Sequence, residues 1–154
     1  MGDSILNGVI ERNLSNDRSV KVRKFPGATV DDLRHHALPI IRKQPKYLII
    51  HAGTNDAVKF TSRDILNKLL QLKSFIQEKL PDAEIIVSTP TLRSDNGKAA
   101  LTIRQLTNHL INLKIDILDN RNITGKHLSK RGLHLNQSGS NLLTKNIVSK
   151  LRKF

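Results

Sequence analysis

Two rhythms of apolar residues alternate along this chain. In one, apolar side chains recur three and four residues apart, the spacing of a helix face; in the other they run together over a few residues, as in a strand buried on both sides. Ile5, Leu6, Val9, Ile10 and Leu14 fall at helical spacing and predict a first helix over 5–14. Asn16-Asp17 reads as a turn. Ser19 to Phe25 reads as a short strand with Val20 and Val22 on one face, broken by Pro26-Gly27. Val30 to Arg42 reads as a helix, with Asp31 and Asp32 in the first turn, where the helix dipole favours acids, and with Pro39 expected to kink or split it.

The middle of the chain is clearer. Tyr47-Leu48-Ile49-Ile50 centres a strand over 46–52 of the kind found inside a parallel sheet. Thr61 to Leu80 predicts a long helix whose buried stripe is Ile65, Leu69, Leu72, Ile76 and Leu80, opened by a Thr61/Asp64 capping box and stopped by Pro81. Ala83 to Ser88 is a further strand, Arg93 to Lys98 a polar loop, and a helix follows to about Leu113. Ile115 to Leu118 is a last strand, Asn120 to Arg131 a basic loop, and Ser138 to about Leu151 the closing helix. Strands alternating with helices predict an α/β class domain with a parallel sheet. No repeat, linker or low-complexity tract divides it, so residues 1–154 read as a single domain.

Composition sharpens this picture. Aromatic residues are 3% of the chain, so the core is aliphatic and there are few flat platforms for stacking bases. The formal net charge of +13 favours anionic partners such as nucleic acid or an anionic lipid surface, although charge alone selects neither. The absence of cysteine removes disulfides, thiolate nucleophiles and cysteine-based zinc sites. No apolar run reaches the roughly 18 residues of a membrane span, and no signal peptide is visible, which favours a cytoplasmic location while leaving the compartment open. The histidines show no metal-ligand spacing, so neither a catalytic metal nor a cofactor is expected.

Three stretches carry chemistry. Gly2-Asp3-Ser4 opens an apolar run, Gly53-Thr54-Asn55-Asp56 follows the clearest strand, and Gly132-Leu133-His134-Leu135-Asn136 precedes the last helix. They supply a hydroxyl (Ser4), a side-chain amide able to donate hydrogen bonds (Asn55) and an imidazole base (His134), the groups that acyl transfer needs. Each has a plainer reading: Ser4 as a helix N-cap, Asn55 as a turn residue. Asp3 reads as a structural acid that binds nearby backbone N–H groups, and Asp56 as one that holds its loop. Of the other histidines, His35 and His36 lie on a helix, His51 could line a pocket at a strand end, and His109 and His127 have no catalytic context.

In order and wording these stretches resemble the SGNH or GDSL-type hydrolases. Gly-Asp-Ser-Ile-Leu, Gly-Thr-Asn-Asp and Gly-Leu-His-Leu-Asn also resemble the esterase-like domains encoded by some non-LTR retrotransposons. The resemblance covers essentially the whole chain. It implies a three-layer, flavodoxin-like fold with a parallel sheet flanked by helices. It also implies Ser4 as nucleophile, His134 as base, and an oxyanion hole built from Ser4, Gly27 in Pro26-Gly27-Ala28-Thr29, and Asn55, with Asp3, Gly53 and Asp56 in support. Without the resemblance Gly27 is equally a turn glycine after proline.

Two features depart from the family. Arg131 stands where the acid of Asp-x-x-His belongs, and the short apolar strand that leads into Gly-Asp-Ser is missing, because only Met1 and Gly2 precede Asp3. The expectation is a domain shortened at its N-terminus, with its first central strand absent. Asp116 or Asp119 could replace the missing acid. The function implied is a serine esterase cleaving a small ester through an acyl-serine intermediate, impaired by Arg131. The alternative is a non-catalytic binding module that uses its positive charge on nucleic acid or anionic lipid.

Overall fold

The structure, a computed structural model, describes residues 1–15 and 19–153; the turn expected at Asn16-Asp17 lies outside them. Three parallel strands in the order β1-β2-β3 form the sheet: β1 (Tyr47–His51), β2 (Glu84–Ser88) and β3 (Ile117–Leu118). Tyr47 aligns with Glu84 and His51 with Ser88 across β1 and β2, and Ser88 aligns with Leu118 across β2 and β3. Four α-helices accompany it: α1 (Val30–Ile41), α2 (Ser62–Lys79), α3 (Gly97–Ile111) and α4 (Gln137–Leu151).

The sheet is covered on both faces, as its near-continuous apolar strands require. Leu48, Ile50, Ile85 and Val87 point into one core with Leu33 and Ala37 of α1, Ile65 and Leu69 of α2, and Ile103 and Leu106 of α3. Ile86 and Leu118 point into a second core with Ile5 and Leu6 near the N-terminus and Leu143 and Ile147 of α4. The strand–helix alternation predicts the α/β class with a parallel sheet, and the three layers are those the family resemblance implies. No helix among the described residues is long and apolar enough to cross a membrane.

Helix starts follow local chemistry. Thr29 and Thr61 each accept from the backbone N–H three residues on, and Asp32 and Asp64 return the bond to the cap backbone, giving reciprocal capping boxes on α1 and α2. Pro39 does not split α1: it sits in the last turn, where few hydrogen bonds remain for it to remove, and Arg42 N–H still reaches Leu38 O at 3.2 Å.

The front of the chain departs most from expectation. The helix predicted over 5–14 is two short 3₁₀ turns, Ser4–Gly8 and Glu11–Asn13, with Val9 extended between them. Apolar residues three apart suit 3₁₀ as well as α geometry, so spacing alone did not separate the two. Close packing on α4 also constrains this turn, since a Cβ on Gly8 would lie 2.1 Å from Ser140 Oγ. Nor is 19–25 a strand; it contributes a single parallel bridge, Lys24 to Gly2.

Gly2 also bridges in parallel to His51, so Met1 to Asp3 alone fill the position between Lys24 and β1. His51 N–H donates to Met1 O at 2.9 Å, and the Met1 amino group donates to Ile49 O at 2.7 Å. Burial of that amine pushes its pKa down to about 5.

Candidate active site

Ser4 follows this central bridge and opens the first 3₁₀ turn. Its plainer role is already taken: Asp3, not Ser4, is the N-cap, with Oδ1 accepting from Ile5 N–H at 2.9 Å. The Ser4 side chain is half-buried and makes no hydrogen bond to a described residue. Its own N–H, at the first helical position, has no intrahelical acceptor.

Asp3 is buried, and its Oδ2 has no hydrogen-bond partner. Burial drives its pKa up to about 7; the nearby charge of Asp56 adds to the rise, while the Ile5 amide and the Thr54 hydroxyl oppose it. Asp56 is fully buried, and both its oxygens face the Val30 N–H, at 3.1 and 3.3 Å, at the start of α1. Burial raises its pKa, partly offset by that N–H and by the charge of Lys68.

The structure ties the Asn55 turn to the segment that holds Gly27. Asn55 Nδ2 donates to Ala28 O at 2.9 Å, tying the Asn55 turn to the residue after Gly27. One amide hydrogen is used there, and the other has no partner among the described residues. Gly27 sits at φ +78°, with open space where a Cβ would be. Glycine is therefore set here by backbone conformation rather than by close approach. Gly53 is constrained twice, by φ +108° and by Leu106 and Ile65, which a Cβ would approach at 3.1 and 3.3 Å.

His134 lies in a tight loop closed by a Leu128–Leu135 bridge, with Ser129 N–H donating to His134 O at 2.7 Å and Gly132 N–H to Ser129 O at 2.8 Å. The loop runs into α4, which packs on the Ser4–Gly8 turn. The imidazole is exposed and hydrogen-bonds no described residue, Ser4 included. Arg131 is also exposed, without an ion pair among the described residues.

Neither acid considered as a substitute serves the histidine. Asp116 pairs with Lys150, and Asp119 with Arg121 through contacts of 2.8, 3.0 and 3.2 Å. His51 does not line a pocket. It is buried with Nδ1 2.8 Å from Ser88 Oγ, its Nε2 unpartnered, and burial lowers its pKa to about 4, so it is a neutral interior residue.

Sequence reasoning passed over Arg93 as part of a polar loop. The side chain is buried, donating from Nη1 to Thr54 O at 2.8 Å and from Nε and Nη2 to Asp95 at 2.7 and 2.5 Å. The next residue, Ser94, donates its N–H to Gly132 O at 2.7 Å. This segment therefore joins the Asn55 turn to the His134 loop. Arg-x-Asp was its one legible signal, and nothing in the local pattern says that such a pair will be buried.

No family model and no curated protein matches the chain in sequence. Solved structures match it in fold. A carbohydrate esterase family 3 protein from Talaromyces cellulolyticus aligns over 99% of this chain and 94% of its own, with TM-score 0.79 and 16% identity. A lipase/acylhydrolase from Enterococcus faecalis aligns over 99% and 93%, with TM-score 0.71 and 20% identity. A GDSL-like lipase from Bacteroides thetaiotaomicron aligns over 99% and 86%, with TM-score 0.79 and 16% identity. The chain has the fold of the GDSL/SGNH lipase-acylhydrolases.

Proposed function

We propose that the chain is a serine esterase of SGNH type, a carboxylic-ester hydrolase acting on a small acyl ester and slowed by Arg131. The observation that carries this reading is the release of Ser4. Asp3 takes over the cap, leaving the Ser4 hydroxyl without a partner among the described residues on a fold shared with acyl hydrolases, while the Asn55–Ala28 bond ties the Asn55 turn to the segment that holds Gly27.

In the reaction Ser4 Oγ adds to the ester carbonyl as His134 removes its proton. The Ser4 and Gly27 N–H groups and the free Asn55 amide hydrogen receive the negative oxygen. Collapse expels the alcohol, which His134 protonates, and water then releases the acid from Ser4 by the same steps. Among the described residues no carboxylate holds the imidazole or supports its charged form, a loss that costs roughly 10,000-fold in well-studied triads. The names of the structural neighbours span carbohydrate esterase and lipase, which supports an ester without choosing the acyl donor. The narrower likeness to retrotransposon-encoded esterase domains rests on the motif wording.

A serine-reactive fluorophosphonate probe tests this. Slow labelling that vanishes in Ser4→Ala and quickens at least 10-fold in Arg131→Asp is expected. Labelling that survives Ser4→Ala, or its absence from both the starting chain and Arg131→Asp, would sink the esterase reading.

A further inference from the structure

The positive charge is not evenly spread. From Asn120 to the end of the sequence there are eight lysines and arginines and no acid, whereas all 13 acids lie before it. The structure ties the two parts of this stretch, loop and helix, to each other. The loop after β3 is laid along α4: Asn146 Nδ2 donates to Asn120 Oδ1 at 3.0 Å, Asn122 pairs with Asn146 at 2.9 Å, and Asn136 Nδ2, at the α4 cap, donates to Lys126 O at 2.8 Å.

Two of the eight cations are neutralised by acids just outside the stretch, Arg121 by Asp119 and Lys150 by Asp116. The other six, Lys126, Lys130, Arg131, Lys145, Arg152 and Lys153, are exposed and form no ion pair among the described residues. Lys145 and Arg152 stand seven residues apart, about two turns, on the side of α4 away from buried Leu143 and Ile147.

We propose that this loop-and-helix face binds the phosphodiester backbone of nucleic acid, without sequence preference. It is independent of the esterase reading. Among the described residues the face offers cations and asparagines, which suit phosphate and sugar, and no aromatic platform for bases. The 15 residues of α4 span about 22 Å, a length over which duplex DNA presents on the order of a dozen phosphate charges. A membrane surface fits less well. Among the described residues the exposed large apolar side chains, Ile10, Leu38, Val58 and Leu101, all lie outside the 120–153 stretch, so its described part has little to bury in an acyl layer. On this reading Arg131 is a member of the phosphate face, which accounts for a cation where an acid belongs.

The test uses fluorescence anisotropy with labelled 20-nucleotide RNA, single-stranded DNA and duplex DNA across 50–300 mM salt. If all six cations engage, log K falls against log salt with a slope of about −5 for duplex and about −4 for single strands. The variant Lys130→Gln/Arg131→Gln/Lys145→Gln/Arg152→Gln removes four charges from the face. The control Arg42→Gln/Lys43→Gln/Lys46→Gln/Lys59→Gln removes four exposed charges elsewhere. The face variant should lose more than 100-fold in affinity at 50 mM salt and flatten the duplex slope by about 3 to 4, with its circular dichroism unchanged. The control should keep most of both. Equal losses in the two variants would reduce the effect to net charge and overturn the face. Absent or salt-independent nucleic-acid binding, or tighter binding to phosphatidylglycerol vesicles, would overturn nucleic acid as the partner.

Discussion

Asp3 and Ser4 show how neighbouring residues divide work that either could do. Both side chains can cap a helix. The carboxylate takes the cap by accepting from Ile5 N–H, is buried in doing so, and leaves the hydroxyl unengaged. Burial has a titration consequence. Asp3 holds its proton in the folded state to about pH 7 but would release it near 3.8 when unfolded. Between those values the folded chain binds more protons, so stability falls as pH rises, and the loss is complete above about pH 7. Asp3→Asn removes that loss. Its unfolding free energy relative to the starting chain should climb from pH 5 to pH 7 by up to about 1.4 kcal/mol per pH unit, measured by urea denaturation. A difference that stays flat with pH would mean that Asp3 is ionised throughout. The motif Gly-Asp-Ser made this pair of residues legible; which of the two caps the turn depends on three-dimensional placement.

At the scale of elements, legibility follows how local the determinants are. α2 could be read because its apolar stripe, its capping box and Pro81 lie within its own segment, and β1 because its apolar run is continuous. The Ser4–Gly8 turn could not, since its form also depends on packing against Ser140 of α4, more than 130 residues away. Arg93 escaped because the partner that buries it is remote: it donates to Thr54, 39 residues back, as well as to Asp95, two residues on. That segment provides the link between the Asn55 turn and the His134 loop, and it can be tested apart from the reacting groups. Arg93→Met leaves Asp95 and the Thr54 carbonyl without their donor and should cost about 1–3 kcal/mol of stability. If Arg93 also positions the site, fluorophosphonate labelling of the folded variant should slow several-fold, with Arg93→Lys recovering part of the rate. Unchanged labelling at temperatures where the variant remains folded would leave Arg93 a purely structural role.

For the molecule as a whole, 26 basic residues against 13 acidic ones mean that folding brings like charges together. The ion pairs present, such as Lys68–Asp31 at 2.6 Å and Arg121–Asp119 at 2.8 Å, offset little of this, because exposed pairs contribute at most about 1 kcal/mol each. Raising sodium chloride from about 10 to 150 mM shortens the screening length from roughly 30 to 8 Å and should raise the melting temperature by a few degrees. A fall would indicate that attractive pairs dominate.

The buried Met1 amine has a practical consequence for handling the protein. Its nitrogen sits inside the sheet against Ile49 O, close to the Gly2 bridge with Lys24. A purification tag joined directly to Met1 turns that buried amine into an amide and must displace its contact with Ile49 O, which would disturb the bridge that leads into Ser4.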